Sequence, residues 1–237
     1  MNNAFEKEEK YRLYRTVKEI FHPTISKKNI SNYKIIVNDE LLPLRIFYPE
    51  KVSNMQNVAI YIYGNINLTN CHEKYANILS YLALNTNNLV ITIDSSKIEK
   101  LSKKKQLEKI YEMIKYIYLE LKKININNIS LFGDSTGATT ILKLKQKFIE
   151  DNILINKQIL FYPMIIEKYM TKKLKCEKDT FDNKLIIIGD KDENYNELKN
   201  YTSNYYLIPN MKHGFLKEHD EKLKKTYTNI INEYLQG

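Results

Sequence analysis

Short apolar runs alternate with longer stretches of helical periodicity along most of the chain. The apolar runs are rich in Ile, Val, Leu and Tyr, a composition typical of buried strands. The stretches between them place apolar residues three and four positions apart, which is the spacing of an amphipathic helix. Strands that alternate with helices predict βαβ units, a mostly parallel central sheet flanked by helices, and therefore the α/β class.

The pattern predicts a sheet of about eight strands. The predicted strands are residues 33–37, 42–48, 58–63, 89–93, 129–132, 158–162, 184–188 and 205–208. The predicted helices are residues 4–21, 72–84, 103–122, 136–149, 195–200 and 220–235. The first two strands are joined through Asn38, Asp39 and Glu40, which predicts an antiparallel hairpin at one edge of the sheet. A chain of 237 residues is ample for one large core and short for two, so residues 1–237 are predicted to form a single domain.

Glycine is scarce, with only six in the chain, and two of the six flank one serine in Gly133-Asp134-Ser135-Thr136-Gly137. In a chain so poor in glycine, the remaining ones mark positions where a side chain is not tolerated. The motif lies between a predicted strand and a predicted helix, which is the context of an exposed nucleophilic serine on a sharp turn. The amide of Thr136 then lies at a helix N-terminus and favours a developing negative charge. The alternative is a turn in which Ser135 only caps the helix.

Candidate partners for Ser135 follow in the order acid, then base. The predicted strand 184–188 leads into Gly189-Asp190-Lys191-Asp192, and His213 lies in a loop after the strand 205–208. A serine hydroxyl needs a neighbouring base to take its proton, and an acid must orient that base. Taken singly, His213 is equally consistent with a surface loop, whereas Asp192 is more consistent with a solvated turn. Their order and their positions after strand ends together favour a catalytic triad.

A further element lies upstream of the serine. The predicted strand 58–63 ends at Gly64 and Asn65. In hydrolases of this layout, the loop after that strand contributes backbone amides to the oxyanion hole.

Four segments carry a resemblance to a known family. They are residues 132–137, 160–163 (Leu-Phe-Tyr-Pro), 188–192 (Ile-Gly-Asp-Lys-Asp) and 213–215 (His-Gly-Phe). Together they resemble the α/β-hydrolase superfamily, and most of all the hormone-sensitive-lipase-like carboxylesterases. The likeness extends from about residue 33 to residue 235.

The resemblance implies an α/β-hydrolase fold with a Ser135, Asp192 and His213 triad, so that Asp192 rather than Asp190 is the acid. It implies an oxyanion hole formed by the amides of Thr136 and Asn65, aided by Gly64. It also implies that residues 1–30 form a small cap helix region. The rest of the cap is minimal, because residues 165–181 form a short, lysine-rich segment where relatives carry much of theirs. The chain departs from the family in its oxyanion loop, where Tyr63-Gly64-Asn65-Ile66 replaces His-Gly-Gly-Gly.

These observations predict a carboxylesterase that acts on small acyl esters without a metal or an organic cofactor. A peptidase or a thioesterase on the same fold is an alternative, since the triad does not define the leaving group. A non-catalytic protein that binds a ligand or a partner is the rival from another class, and the glycine-poor oxyanion loop favours it. The intact set of three triad residues argues against that rival.

The net charge of +9 fits either a nucleic-acid or anionic-membrane partner or a codon bias toward Lys, Asn, Ile and Tyr. The lysines are scattered, which favours codon bias and predicts no nucleic-acid partner.

Cys71 and Cys176 lie far apart and predict neither a disulfide framework nor a zinc site. No apolar leader and no stretch of membrane-spanning length is evident, so a cytoplasmic location is expected. The oligomeric state is not predicted.

Overall fold

The apolar runs of the sequence form the strands of one mixed sheet. The computed structural model describes residues 30–37, 40–50, 57–64, 71–93, 98, 100–164, 183–200, 202, 204–218 and 220–236. The strands are β1 (Ile30–Val37), β2 (Glu40–Phe47), β3 (Asn57–Ile62), β4 (Leu89–Ile93), β5 (Asn128–Asp134), β6 (Gln158–Phe161), β7 (Lys184–Gly189) and β8 (Tyr205–Ile208). They pair in the order β1-β2-β4-β3-β5-β6-β7-β8. The predicted α/β class with about eight strands is therefore confirmed.

The sheet is antiparallel at one end and parallel over the rest. β1 and β2 form a hairpin in which Val37 pairs with Glu40, and β2 runs antiparallel to β4. All pairs from β4 to β8 are parallel. The predicted hairpin at one edge is confirmed. The parallel strands all direct their carboxyl ends toward the same edge of the sheet, which is where α/β folds place their sites.

Five helices accompany the sheet in the described part of the chain. They are α1 (Cys71–Thr86), α2 (Lys103–Lys123), α3 (Ser135–Glu150), the single-turn α4 (Tyr195–Leu198) and α5 (Glu221–Gln236). Right-handed crossovers place α2 and α3 on one face of the sheet and α1 on the other, because the chain moves in opposite directions along the sheet. The contacts agree with this arrangement, since α2 lies against α3 and α1 lies against α5.

The central strands are buried on both faces. Every residue of β4 and β7 is buried, as is every residue of β3 and β5 except the first. For this reason, parallel strands between two layers of helices have continuously apolar sequences. The predicted helix 4–21, the cap region 1–30 apart from its last residue, and the segment 165–181 lie outside the described residues. The assignment of residues 1–237 to a single domain stays a prediction.

Gly137, in the first turn of α3, provides a test of how closely this helix approaches β3. A Cβ atom at this position would lie 2.2 Å from the Ile62 carbonyl oxygen and 2.7 Å from the Tyr63 carbonyl carbon. Both contacts are with backbone that cannot move aside. We expect Gly137→Ala to cost about 3 kcal/mol, in the range of severe overpacking, despite a gain of about 1 kcal/mol in helix propensity.

A loss of this size lowers the thermal midpoint by about 6–12 °C in a chain of this length. Gly214→Ala is the matched control, because a Cβ there meets nothing within 4 Å and only the φ of +83° opposes it. That backbone cost is about 1–2 kcal/mol. Equal losses of the thermal midpoint in the two variants, measured by calorimetry, would contradict the close packing of α3 against β3.

Candidate active site

Ser135 lies at a direct junction between a strand and a helix. β5 ends at Asp134 and α3 begins at Ser135, with no loop residue between them. The φ of Ser135 is +49°, a left-handed conformation that residues other than glycine rarely adopt. Such a turn directs the serine hydroxyl out of the carboxyl edge of the sheet. The half-buried Ser135 therefore has the backbone geometry of a nucleophile elbow.

His213 reaches Ser135 from the loop that follows β8. Its Nε2 lies 2.8 Å from Ser135 Oγ, within hydrogen-bonding distance. One face of the site is closed by Tyr162, whose ring meets the imidazole edge-to-face with centroids 4.9 Å apart. Tyr162 has a φ of +35° and is buried directly after β6. The imidazole is thus held by packing on one side and remains partly open to solvent, with 28% of its side chain exposed.

Asp192 completes a line of hydrogen bonds behind the histidine. Its Oδ2 lies 2.9 Å from His213 Nδ1, and its side chain is fully buried. The other oxygen, Oδ1, accepts from the Asn194 backbone amide at 2.8 Å and from the Asn194 side-chain amide at 3.1 Å. Asp190 is exposed, and its backbone amide donates to Ile208. The structure therefore brings Asp192 to the histidine and leaves Asp190 at the surface.

The surroundings of Asp192 favour its ionised form. Burial raises the pKa of this carboxyl, but hydrogen bonds from His213 and Asn194 outweigh burial and hold the pKa below its usual range. Asp192 is consequently a carboxylate at every pH at which a neutral imidazole can act as a base. A carboxylate accepts only, so His213 Nδ1 must carry the proton, which leaves Nε2 free to accept from the serine hydroxyl.

The three residues expected to form the oxyanion hole have different outcomes. Thr136 lies in the first turn of α3, where helix amides have no intrahelical partner. Asn65 lies outside the described residues. The Gly64 amide donates to Asp134 Oδ1 at 2.9 Å, so a carboxylate engages this amide in the structure. The part of Gly64 in an oxyanion hole stays a prediction.

Sequence reasoning missed the supporting residues of this site. Asn194 gives Asp192 two hydrogen bonds, and its position two residues beyond an aspartate is a familiar turn signal that could have indicated it. The sequence indicates Tyr162 only as part of the segment 160–163, and nothing in it indicates that this ring packs against His213. The buried contacts of Asp134 carried no sequence signal, since its partners lie far away along the chain.

The arrangement can carry out nucleophilic catalysis: a hydroxyl touches a base, and the base touches a buried carboxylate. Within the described part of the chain, no group of three or more His, Cys, Asp or Glu side chains could hold a metal ion. Among the helices that the structure describes, none is long and apolar enough to span a membrane.

Comparison with known proteins identifies the fold. The sequence matches the model of a family described as alpha/beta hydrolase fold over residues 59–216. An esterase from Pyrobaculum calidifontis is similar with a TM-score of 0.68 at 14% identity, over 98% of this chain and 93% of that chain. A fungal esterase from Rhizomucor miehei gives 0.67 at 16% identity, over 94% and 90%. A thermostable carboxylesterase cloned from a metagenomic library gives 0.64 at 15% identity, over 98% of each chain. No curated protein matches the sequence.

The two aspartates after β7 can be separated by mutation. We expect Asp192→Asn to lower kcat for an activated ester by at least about a hundredfold, because an asparagine stabilises the wrong imidazole tautomer. KM should stay nearly unchanged, as when an interaction specific to the transition state is lost. Asp190→Asn is the control, and its effect should be confined to stability. Steady-state kinetics that show an inactive Asp190 variant and full turnover by Asp192→Asn would reverse the assignment.

Proposed function

Because the chain belongs to the α/β-hydrolase family, whose model matches residues 59–216, we propose that it is a serine hydrolase, and specifically a carboxylesterase that cleaves small acyl esters. One observation carries the proposal. Ser135 Oγ, the His213 imidazole and the Asp192 carboxylate form a continuous line of contacts of 2.8 Å and 2.9 Å. The similar solved structures that are esterases by name support the choice of reaction.

The proposed reaction begins with attack by Ser135 Oγ on the ester carbonyl carbon. His213 Nε2 takes the hydroxyl proton, while Asp192 holds the proton on Nδ1 and stabilises the imidazolium that forms. The tetrahedral intermediate places its negative oxygen near the Thr136 amide, with Asn65 proposed as the second donor. When the intermediate collapses, His213 gives the proton to the departing alcohol, and the acyl group remains on Ser135.

Deacylation repeats these steps with water as the nucleophile. His213 Nε2 removes a proton from water, the resulting hydroxide attacks the acyl carbon, and the proton returns to Ser135 Oγ as the carboxylic acid leaves. No metal or organic cofactor takes part in this scheme. A cytoplasmic location, a small-molecule ester as the partner and the absence of a nucleic-acid partner remain parts of the proposal that rest on the sequence.

A hydrolase-fold protein that binds a ligand without turnover is the second candidate. The observation that favours it is the reduced oxyanion loop, in which the Gly64 amide is already engaged by Asp134. The hydrogen bond between Ser135 and His213 favours the enzyme, because a binding protein has no need of a base aligned on a serine. A peptidase or a thioesterase on the same fold differs from an esterase only in the leaving group. Assays with amide and thioester substrates distinguish these activities.

The nucleophile can be tested directly. We expect the purified protein to react stoichiometrically with a fluorophosphonate probe, with the adduct at Ser135 located by peptide mass spectrometry. Ser135→Ala should abolish labelling and shift the thermal midpoint by only a few degrees, since about 1 kcal/mol corresponds to about 2–4 °C here. Absence of labelling would favour the binding protein, and an adduct at another serine would refute the proposed triad.

Substrate size is the second test. The segment 165–181 lies outside the described residues, and its short, lysine-rich sequence predicts little apolar surface for a long acyl chain. We expect acetyl and butyryl p-nitrophenyl esters to give higher kcat/KM than esters of ten or more carbons. Each methylene without a pocket forgoes about 0.8 kcal/mol of burial. A value of kcat/KM that rises steadily with chain length would instead indicate a lipase-like groove.

A further inference from the structure

A second buried carboxylate lies beside the candidate nucleophile and takes no part in the triad. Asp134, the residue before Ser135, is 1% exposed. Its Oδ1 accepts from the Tyr61 hydroxyl at 2.8 Å and from the Gly64 amide at 2.9 Å. Its Oδ2 accepts from the Tyr75 hydroxyl at 2.7 Å. Three donors thus converge on one side chain that can only accept while it is ionised.

The three donors belong to different parts of the fold. Tyr61 lies in β3, Tyr75 lies in α1, and Gly64 begins the loop that follows β3. The side chain of Asp134 therefore joins the elbow to the strand, the helix and the loop that surround it. Hydrogen bonds to a charged group are about twice as strong as those between neutral groups, so these hydrogen bonds hold the connected elements together strongly.

Gly64 lies unusually close to the elbow. A Cβ atom on Gly64 would lie 2.5 Å from Asp134 Oδ2, 2.6 Å from the Asp134 carbonyl oxygen and 2.8 Å from Ser135 Cβ. No residue other than glycine fits there without displacing the loop or the elbow. The one glycine that this loop keeps from the family pattern is therefore the one in contact with Asp134.

The tyrosines that donate to Asp134 are themselves held in a cluster of rings. Tyr63 packs against Tyr61 and Tyr75 with ring centroids 5.6 Å and 5.0 Å apart, and the latter two rings lie 6.1 Å apart. All three are buried. Aromatic pairs at these distances pack favourably beyond the area they bury. The cluster fixes the direction from which the two hydroxyls approach the carboxylate.

The environment of Asp134 is unfavourable to a charge except for these donors. Burial raises the pKa of Asp134, and hydrogen bonds from Tyr75, Tyr61 and the Gly64 amide oppose the effect of burial, as does the charge of Lys217. Lys217 lies over the Tyr75 ring, with Nζ 5.8 Å from the centroid. A group that is costly to bury and is satisfied by three separate hydrogen-bond donors is characteristic of a site held in one geometry.

We propose that Asp134, oriented by Tyr61 and Tyr75, is a positioning residue that fixes Gly64 against Ser135 and so sets where the oxyanion loop begins. The inference rests on the proposed function and deepens it. The segment Gly64-Asn65-Ile66 contains one glycine. The hydrogen bond from the amide of that glycine to Asp134 links the start of the loop to the elbow.

The inference is tested by removing single hydroxyls. Tyr75→Phe and Tyr61→Phe each delete one donor to Asp134 and keep the ring. Tyr227→Phe is the matched control, because its buried hydroxyl has no hydrogen-bond partner among the described residues. The measurements are kcat and KM for p-nitrophenyl acetate, the second-order rate of fluorophosphonate labelling, and the thermal midpoint.

We expect Tyr75→Phe and Tyr61→Phe to lower kcat by about tenfold each, a partial loss compared with the 10²–10³ of deleting an oxyanion donor. KM should stay within about twofold, because the lost interaction acts in the transition state. The labelling rate should fall by the same factor as kcat. Tyr227→Phe should change neither rate by more than about twofold, as expected for a group that touches nothing in the site.

A pair of substitutions at Asp134 separates positioning from bulk stability. Asp134→Asn keeps an oxygen that can accept from Tyr61 and Gly64, whereas Asp134→Ala keeps none. Asp134→Asn should therefore retain at least about ten times the kcat of Asp134→Ala, since an unmade buried hydrogen bond costs more than a weakened one. This rescue would also support the proposal if a tyrosine variant failed to fold.

The outcomes distinguish this inference from the proposed function. A wild-type protein inert toward both ester and probe would overturn the proposed function and the inference with it. An active wild type in which the kinetics of Tyr75→Phe and Tyr61→Phe match those of Tyr227→Phe would overturn the inference alone. Variants that lose thermal stability with kcat unchanged would show that Asp134 only supports the fold, and would overturn it as well.

Discussion

The backbone at Ser135 passes directly from a buried strand into a helix, and the other groups of the candidate site are arranged around that turn. A left-handed φ at a residue other than glycine costs of order 1–3 kcal/mol and persists only where its surroundings enforce it. Those surroundings are visible here. β5 is paired on both sides, with β3 and β6, and the first turn of α3 rests on the end of β3 with no room for a Cβ at Gly137. The sheet therefore fixes the serine before any substrate arrives.

Two carboxylates flank this turn in different ways. Asp192 is held by His213 and Asn194, and its pKa lies below the usual range, so its charge faces the imidazole. Asp134 is surrounded by neutral donors, and burial raises its pKa despite them. A buried carboxylate is costly unless its oxygens are hydrogen-bonded, and the donors Tyr61, Tyr75 and Gly64 satisfy those of Asp134 and hold its side chain in one geometry.

The arrangement of strands and helices could be predicted because it depends on periodicity, which is a local property of the chain. The positions of Ser135, Asp192 and His213 after the ends of strands could also be predicted, because a strand end next to a residue is local as well. Even the end of β5 shows the limit of such reasoning. The strand was predicted to stop at residue 132, but it continues to Asp134, because the chain enters α3 without a loop.

The engagement of the Gly64 amide could not be predicted. It depends on the direction of the Asp134 side chain. That direction is set by Tyr61 and Tyr75, which precede Asp134 by 73 and 59 residues in the sequence. Tyrosines in apolar runs indicate a core, and Tyr61 and Tyr75 are indeed buried. Nothing in their spacing indicates that their hydroxyls meet at one carboxylate. Long-range polar contacts of this kind have no periodic signature.

His213, the proposed base, follows β8 at the end of the sheet, and this position links the proposed activity to local opening of the sheet edge. Among the described residues, β8 has only four residues and pairs with one strand, β7, whereas the strand before Ser135 has a partner on each side. Edges of this kind open locally at lower free energy than the core, as amide hydrogen exchange detects. We expect an opening of this edge to move the loop that carries His213 relative to Ser135, whose strand is paired on both sides. For the proposed enzyme, the observed turnover would then equal the intrinsic turnover multiplied by the fraction of folded molecules in which this edge is closed.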